Sequence, residues 1–514
     1  MHVNFNIIDL FYEACARHPA RTALIDGDTQ ITFAALEREI NLIVNHLLDK
    51  GIGKGDRVLV VVPMGIDLYR IVLALFRMGA VAVFLDEWVS AKRLKTCCDI
   101  ADCKGLIGTS KVRLLALFIA GLRKIPLHIG TKINRSATPH EIAQTAPDDI
   151  ALITFTTGST GTPKAAIRTH ALLNEQFKAL ADIIRPQPGD VSMPVLPIVL
   201  LINLGLGVTS VISRFKSGKV SAFNPKQVAR SITSHGVNTI IASPYFVKEL
   251  ARYVRASGKS LPTVRSIFTG GAPVFPEEAQ MYTNAFPSSA IEIVYGSTEA
   301  EPISSISTSV LLGSENLGVQ DGLCVGRVNV NASVKIITIT NDAIAQANPA
   351  ELAKLEMPTG EIGEIVVSGP HVLWSYFNDA NNLAHLRNKI MVRDTCWHRT
   401  GDSGYLDVDG NLYLTGRCNT LVYVHDRVLS PFMYERYFQM IPGAEIGTIL
   451  PIQGFVIAVI ELNDRDQKEA VQTKVMALLP HIDKVIFTKS IPRDPRHHSK
   501  IDYEKLHVIL AQKR

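Results

Sequence analysis

The chain has 514 residues, 47% of them hydrophobic and 20% charged, the composition of a globular protein long enough for two or three domains. Fifty-three basic residues against 48 acidic ones leave a net charge of +5, too near balance for a nucleic-acid binder. Seven cysteines, an odd and mostly scattered set, argue against a disulfide framework and for a reducing, cytoplasmic setting.

Ile7, Leu10, Phe11 and Ala14 recur at helical spacing and predict an N-terminal amphipathic helix. No basic region precedes it and Asp9 breaks its apolar run, so it does not read as a secretory signal. Thr22 to Ile25 and Gln30 to Thr32 flank Asp26-Gly27, a hairpin signal, and Phe33 to Leu48 predicts a second amphipathic helix. Arg57 to Val62 is a β-branched strand, Ile66 to Met78 a helix stopped at Gly79, and Ala80 to Leu85 the next strand. This alternation predicts an α/β fold with a parallel sheet covered by helices. Gly105 to Gly108 continues it as a short strand, and Ser136 to Asp149 is polar surface. Cys97, Cys98 and Cys103 have no second Cys/His pair, so they read as buried thiols near a helix end and not as a zinc site.

Asp190 to Arg214 encloses a stretch without charge, long enough to span a bilayer. Pro194, Pro197, Asn203, Gly205 and Gly207 punctuate it, so it reads as a loop, a short buried helix and a core strand, with no transmembrane segment. The alternation resumes with Val237 to Ala242, Tyr245 to Ala256, Val264 to Thr269, a helix over 279 to 288 and a strand from Ala290 to Val294. Two of these strands run into Gly270-Gly271-Ala272-Pro273 and Tyr295-Gly296-Ser297-Thr298-Glu299. Carboxyl ends of parallel strands are where open α/β sheets bind ligands. From about residue 323 the texture turns β-rich, with Val334 to Thr340, Glu364 to Ser368, and Tyr405 to Gly416 around the turn Asp409-Gly410-Asn411. This predicts a smaller β subdomain, followed after Arg417 by a final unit of about 100 residues.

The most informative stretch is Thr154 to Lys164, T-F-T-T-G-S-T-G-T-P-K, with an apolar strand before it and a helix predicted from about His170. Hydroxyls and glycine amides in such a run can converge on phosphate oxygens, and a helix N-terminus nearby would add positive potential. A Walker A loop is excluded, because Pro163 precedes Lys164 and Ala165 follows it.

Thr156-Thr157-Gly158-Ser159-Thr160-Gly161-Thr162-Pro163-Lys164-Ala165 resembles the phosphate loop of the adenylate-forming superfamily, which holds acyl- and aryl-CoA ligases, peptide-synthetase adenylation domains and luciferases. Thr157 and Ala165 stand where that family usually has Ser and Gly. The resemblance extends to Tyr295-Gly296-Ser297-Thr298-Glu299, implying that Glu299 holds Mg²⁺ and Thr298 contacts phosphate. Gly270-Gly271-Ala272-Pro273 is similar to the segment that packs on adenine and borders the acyl pocket, which Ile202 and Asn203 are expected to help line. Trp397-His398-Arg399-Thr400-Gly401-Asp402 resembles the motif whose aspartate binds the ribose hydroxyls. Arg417 matches the basic residue near the ribose and, with Asn419, the hinge. Lys500, in Arg496-His497-His498-Ser499-Lys500-Ile501, matches the lysine that bridges the carboxylate and the α-phosphate. A positioned ammonium there offsets the repulsion between two anions.

The resemblance implies a large N-terminal domain over 1–415 and a small mobile α+β domain over 416–514. It also implies ATP- and Mg²⁺-dependent conversion of a carboxylic acid, fatty or otherwise apolar, to acyl-AMP and pyrophosphate. Acyl transfer to CoA or a carrier-protein thiol would follow. Where the family has glycine in the loop after the hinge, Asp426 puts a charge beside the expected pantetheine path. Ala80 to Asp86, Gly322 to Arg327 and Arg496 to Ile501 look like the olefin-pathway β-lactone synthetases and their fatty-acyl ligase relatives, so β-lactone closure without CoA is the alternative. A nucleotide-binding protein with little turnover is a further alternative.

Overall fold

A computed structural model describes residues 5–85, 91–132, 140–157, 163–213, 223–313, 322–344, 346–378, 382–424, 427–479, 481–493 and 501–512. Gly158, Ser159, Thr160, Gly161, Asp426, His497, His498 and Lys500 lie outside the described residues, as do the side chains of Thr156 and Thr157.

Two layered sheets make up most of the molecule. One holds, in spatial order, Leu127–Gly130, Gly105–Gly108, Arg57–Val61, Val81–Phe84, Ile150–Thr157 and Pro163–Thr169. Its strands are parallel except for the last pair, an antiparallel hairpin with Thr156 opposite Lys164. The helices that cover it follow the sequence pattern closely. Phe33–Asp49 starts at Thr32, whose hydroxyl accepts from the Ala35 amide at 3.2 Å, and it buries Phe33, Leu36, Ile40, Ile43, Val44 and Leu47 along one face. Ile66–Arg77 ends at Gly79, whose φ of +69° suits glycine.

The second sheet begins with a parallel core of Thr22–Asp26, Thr209–Val211, Val191–Pro194, Thr239–Ala242, Ser266–Gly270 and Ala290–Ser297. The β-rich region does not form a separate sheet. Ala300–Ser307 pairs antiparallel with Ala290–Ser297 on one side and Leu323–Val328 on the other. The same sheet therefore continues through Asn411–Arg417, Thr395–Leu406, Gly363–Ser368 and Ser333–Ile337. The uncharged stretch resolves into the helix Pro197–Leu206 and the strand Thr209–Val211, joined at Gly207 with φ +72°. No helix among the described residues is long and apolar enough to cross a membrane.

After Arg417 come a single 3₁₀ turn, Cys418–Thr420, and a short hairpin, Val422–Val424 with Arg427–Leu429. The sheet beyond them contains Ala444–Ile452, Phe455–Leu462 and Lys484–Thr488. Its two faces carry separate apolar clusters, one around Phe438, Ile460 and Val475, the other around Val459, Ile491 and Leu506. All seven cysteines are free, and Cys97, Cys98 and Cys103 are buried at the end of the helix Ala91–Ala101.

Candidate active site

The site is built on hairpin tips. Ser297 lies opposite Ala300, so Thr298 and Glu299 form the two-residue tip of the hairpin between Ala290–Ser297 and Ala300–Ser307. Tyr295, Gly296 and Ser297 belong to the strand itself, three residues beyond the predicted end at Val294. The loop after Thr157 is also a hairpin connection, because Pro163–Thr169 returns antiparallel and the helix His170–Ile184 begins only after it. The helix N-terminus is thus one seven-residue strand, about 20 Å, from Pro163, beyond the reach of its dipole there.

Two hydrogen bonds from one segment hold Glu299, and Lys389 braces that segment. The Tyr376 hydroxyl donates to its Oε1 at 3.2 Å, and the Leu373 amide donates to its main-chain carbonyl at 2.7 Å. Lys389, fully buried, donates to the Leu373 carbonyl and sits 5.7 Å from the centre of the Tyr376 ring. Burial holds the Lys389 ammonium down to about 8 and raises the Tyr376 phenol far above its usual range. Lys164 lies 5.8 Å from the centre of the same ring, and burial lowers its pKa. Arg168, buried further along the same strand, donates to Gln176 Oε1 at 3.2 Å, to Thr154 Oγ1 at 2.7 Å and to the Thr298 carbonyl at 2.8 Å.

Lys164, Arg168, Lys389 and Arg417 all act electrostatically on Glu299. Asp402 on Arg417 and Glu301 beside Arg168 bring the carboxylates to three against four cations, a small positive excess that suits an anionic ligand. A single carboxylate such as Glu299 is chemically suited to a hard cation shared with phosphate oxygens. Among the described residues no cluster of three acidic, His or Cys ligands exists, and Mg²⁺ is ordinarily held by one or two carboxylates plus phosphate oxygens and water.

Asp402 and Arg417 face each other across paired strands, with Arg417 Nε 3.1 Å from Asp402 Oδ1. The Tyr295 hydroxyl donates to Asp402 Oδ2 at 2.8 Å, and the Asp402 amide donates to Thr400 Oγ1 at 3.0 Å. Arg399 serves the scaffold. It is buried, donates twice to Glu364 Oε2 at 2.9 and 2.5 Å, and reaches the Thr340 and Asp342 carbonyls.

A cavity of about 840 Å³ opens beside the tip and runs between the two sheets. Its walls are overwhelmingly aliphatic and aromatic, including Phe11, Val60, Tyr69, Phe155, Leu201 and Ile202, and Thr298 borders it. Two of the residues expected along the acyl path do not line it. The Asn203 amide turns away to donate to Ser210 Oγ at 3.1 Å inside the core. Gly270 is set by packing, since a Cβ there would lie 2.4 Å from the Val294 carbonyl oxygen. Gly271, with φ +86°, Ala272 and Pro273 follow at the carboxyl end of that strand, and Asn419 is exposed in the turn after Arg417.

The residues flanking 494–500 meet each other. Arg493 and Ile501 form an antiparallel bridge, and the Asp502 amide donates to the Pro492 carbonyl at 2.9 Å. Tyr376, Lys389, Arg168 and Glu301 were not singled out in the sequence. None lies in a recognisable run, and their meeting at the hairpin tip depends on tertiary packing.

A hairpin tip rich in basic side chains at the carboxyl end of a mostly parallel sheet abuts a deep apolar cavity, a setting suited to an anionic ligand beside an apolar one. The profile of the family described as AMP-binding enzyme matches residues 11–377. An olefin beta-lactone synthetase of Xanthomonas campestris pv. campestris is 30% identical over 523 residues, covering 95% of this chain and 92% of that protein. The fold is shared with the amide bond synthetase McbA of Marinactinospora thermotolerans, at TM-score 0.80 and 20% identity over 98% of this chain and 99% of the other. It is shared equally with the AMP complex of O-succinylbenzoate coenzyme A synthetase of Bacillus subtilis, at TM-score 0.79 and 22% identity over 97% of each chain. The chain belongs to the AMP-binding family of adenylate-forming ligases and synthetases.

Proposed function

We propose that this enzyme uses MgATP to activate a fatty or similarly apolar carboxylic acid as its acyl adenylate, releasing pyrophosphate. The observation that carries this reading is the meeting at Thr298 of the positive hairpin tip and the 840 Å³ apolar cavity. An acid seated in the cavity presents its carboxylate where the field of Lys164, Arg168 and Arg417 favours an anion. Asp402, held by Tyr295 and Arg417, accepts from the ribose hydroxyls, and Gly271, Ala272 and Pro273 flank the adenine. Gly158, Ser159, Thr160 and Gly161, with Thr156 and Thr157, embrace the leaving phosphates. Glu299 would hold the magnesium ion, which offsets phosphate charge when bound. Residues 1–415 form the nucleotide and acyl domain. Residues 416–514 form a domain that turns about Arg417 and Asn419 to bring Lys500 to the carboxylate and α-phosphate.

For the second step, the leading acceptor is the thiol of CoA or of a carrier protein. A second reading, β-lactone closure by a β-hydroxyl of the substrate, is favoured by the 30% identity to the Xanthomonas campestris synthetase. The charge of Asp426 beside the expected thiol path supports the same reading. AMP release is measured with ATP, Mg²⁺ and a panel of fatty and β-hydroxy acids, with and without CoA. Release that depends on CoA supports the thiol acceptor, whereas release confined to β-hydroxy acids and indifferent to CoA replaces it with the lactone. Lys500→Ala is expected to abolish pyrophosphate exchange while ATP binding persists; near-normal exchange would remove Lys500 from this role.

A further inference from the structure

The cavity lining contains two charged side chains, Arg168 and Glu301, and both sit at the end bordered by Thr298. Glu301 is half-buried and lines the cavity. Among the described residues no donor reaches its carboxylate, and Arg168 acts on it through space. Arg168 spends three of its N–H groups on Gln176, Thr154 and the Thr298 carbonyl, leaving two of its five for another acceptor. A carboxylate left without a donor in an apolar cavity is costly, and a purely structural counter-ion would gain most from a direct paired contact. Gln176 and Thr154 line the same end. The lining therefore offers an acceptor and spare donors within electrostatic reach of each other, in a mostly apolar wall.

We propose that Arg168 and Glu301 form a subsite for a hydroxyl group on the acyl substrate, placed on one of the carbons next to the carboxylate. A hydroxyl is the smallest group that donates to Glu301 and accepts from Arg168 at once. The position follows from Thr298, which borders the cavity and is tied to Arg168 at 2.8 Å, so the pair is adjacent to the end at which the carboxylate is activated. The inference rests on the adenylation reading and is independent of the second acceptor. Sites that hydrogen-bond a substrate hydroxyl reject the analogue lacking it far more strongly than apolar pockets reject an added methylene.

The test is ATP–pyrophosphate exchange, which reports the first step alone, with acids of one chain length that are unsubstituted, 2-hydroxy, 3-hydroxy or terminally hydroxylated. In the wild-type enzyme kcat/KM is expected to favour the 2- or 3-hydroxy acid over both others by roughly tenfold or more. Glu301→Leu is expected to lower that ratio by about tenfold, and the isosteric Glu301→Gln by less, since an amide still accepts one hydrogen bond. A wild-type ratio near one, or a ratio unchanged in Glu301→Leu, overturns the subsite while leaving adenylation standing. Absence of exchange with every acid would instead overturn the adenylation reading, and the subsite with it.

Discussion

The Tyr295 hydroxyl and the Asp402 carboxylate, 107 residues apart in the chain, are 2.8 Å from each other. The contact joins the last strand of the parallel core to the β-rich extension, and Arg417 clamps the other oxygen of Asp402 from the adjoining strand. Asp402 is therefore oriented before any ligand arrives, at the edge of a field supplied by Lys164 and Arg417. Asp402→Ala is expected to raise the KM for ATP by about tenfold to a hundredfold, the loss of one or two charge-assisted hydrogen bonds. Tyr295→Phe removes only the orienting donor and should raise it a few-fold. Steady-state kinetics at saturating acid measure both, and an unchanged KM in Asp402→Ala would take that carboxylate out of the nucleotide site.

Glu299 and its supporting tyrosine separate ligand from positioning roles. Glu299→Gln is expected to shift the Mg²⁺ concentration for half-maximal pyrophosphate exchange upward by about tenfold or more. Tyr376→Phe deletes the 3.2 Å hydrogen bond to Oε1 and leaves the carboxylate in place, so its shift should be smaller. Magnesium titrations of the two variants at fixed free ATP check the order. Equal shifts would mean that Tyr376 contributes as much as the carboxylate, and no shift in Glu299→Gln would remove it as a ligand.

Much of the fold was legible because periodicity and punctuation agree with packing. Ile66 to Met78 with Gly79 behind it, and the Gly/Pro-broken stretch around Pro197, fall where their patterns place them. The site was legible only where short runs carry chemistry, as at Tyr295 to Glu299. The sequence did not reveal that the glycine-rich loop is a hairpin connection, because Pro163 to Thr169 alternates weakly and both its faces are mostly buried. Nor did it reveal Tyr376, which reaches Glu299 from 77 residues away, or Lys389, which braces the same segment through the Leu373 carbonyl. That Asn203 and Gly270 do not border the cavity was hidden for a related reason: helical or strand position does not say which face a side chain or a backbone approach serves.

His170 provides a pH test of stability. It is fully buried at the start of its helix, and its Nδ1 accepts from the Ile7 amide at 3.2 Å, which requires the neutral ring. Burial lowers its pKa from 6.5 to about 4, with Asp149 opposing the shift. Between those values the unfolded chain binds the extra proton, so stability is full above about pH 6.5 and is lost as pH falls toward about 4. The loss amounts to about 3 kcal/mol at most. Urea denaturation of wild type and His170→Asn across this window is expected to show a shallower acid loss in the variant, whose amide oxygen can still accept from Ile7. Parallel pH profiles would mean that His170 does not titrate in this range.

The cavity makes a prediction about chain length that does not depend on the second step. Ile202 is 5% exposed and lines the wall from the helix Pro197–Leu206, whose next residue, Asn203, is locked into the core by Ser210. Because that helix is anchored, a larger side chain at position 202 has to fill the cavity instead of displacing the wall. Ile202→Trp is thus expected to move the preferred acid to a chain shorter by a few carbons, with kcat/KM for the longest substrates falling roughly tenfold or more. The KM for ATP should follow the wild type, since Asp402 and Arg417 do not border this cavity. Pyrophosphate exchange over a series of saturated acids gives the profile directly. A uniform fall across all lengths would indicate damage to the helix, and an unchanged optimum would place the acyl chain elsewhere.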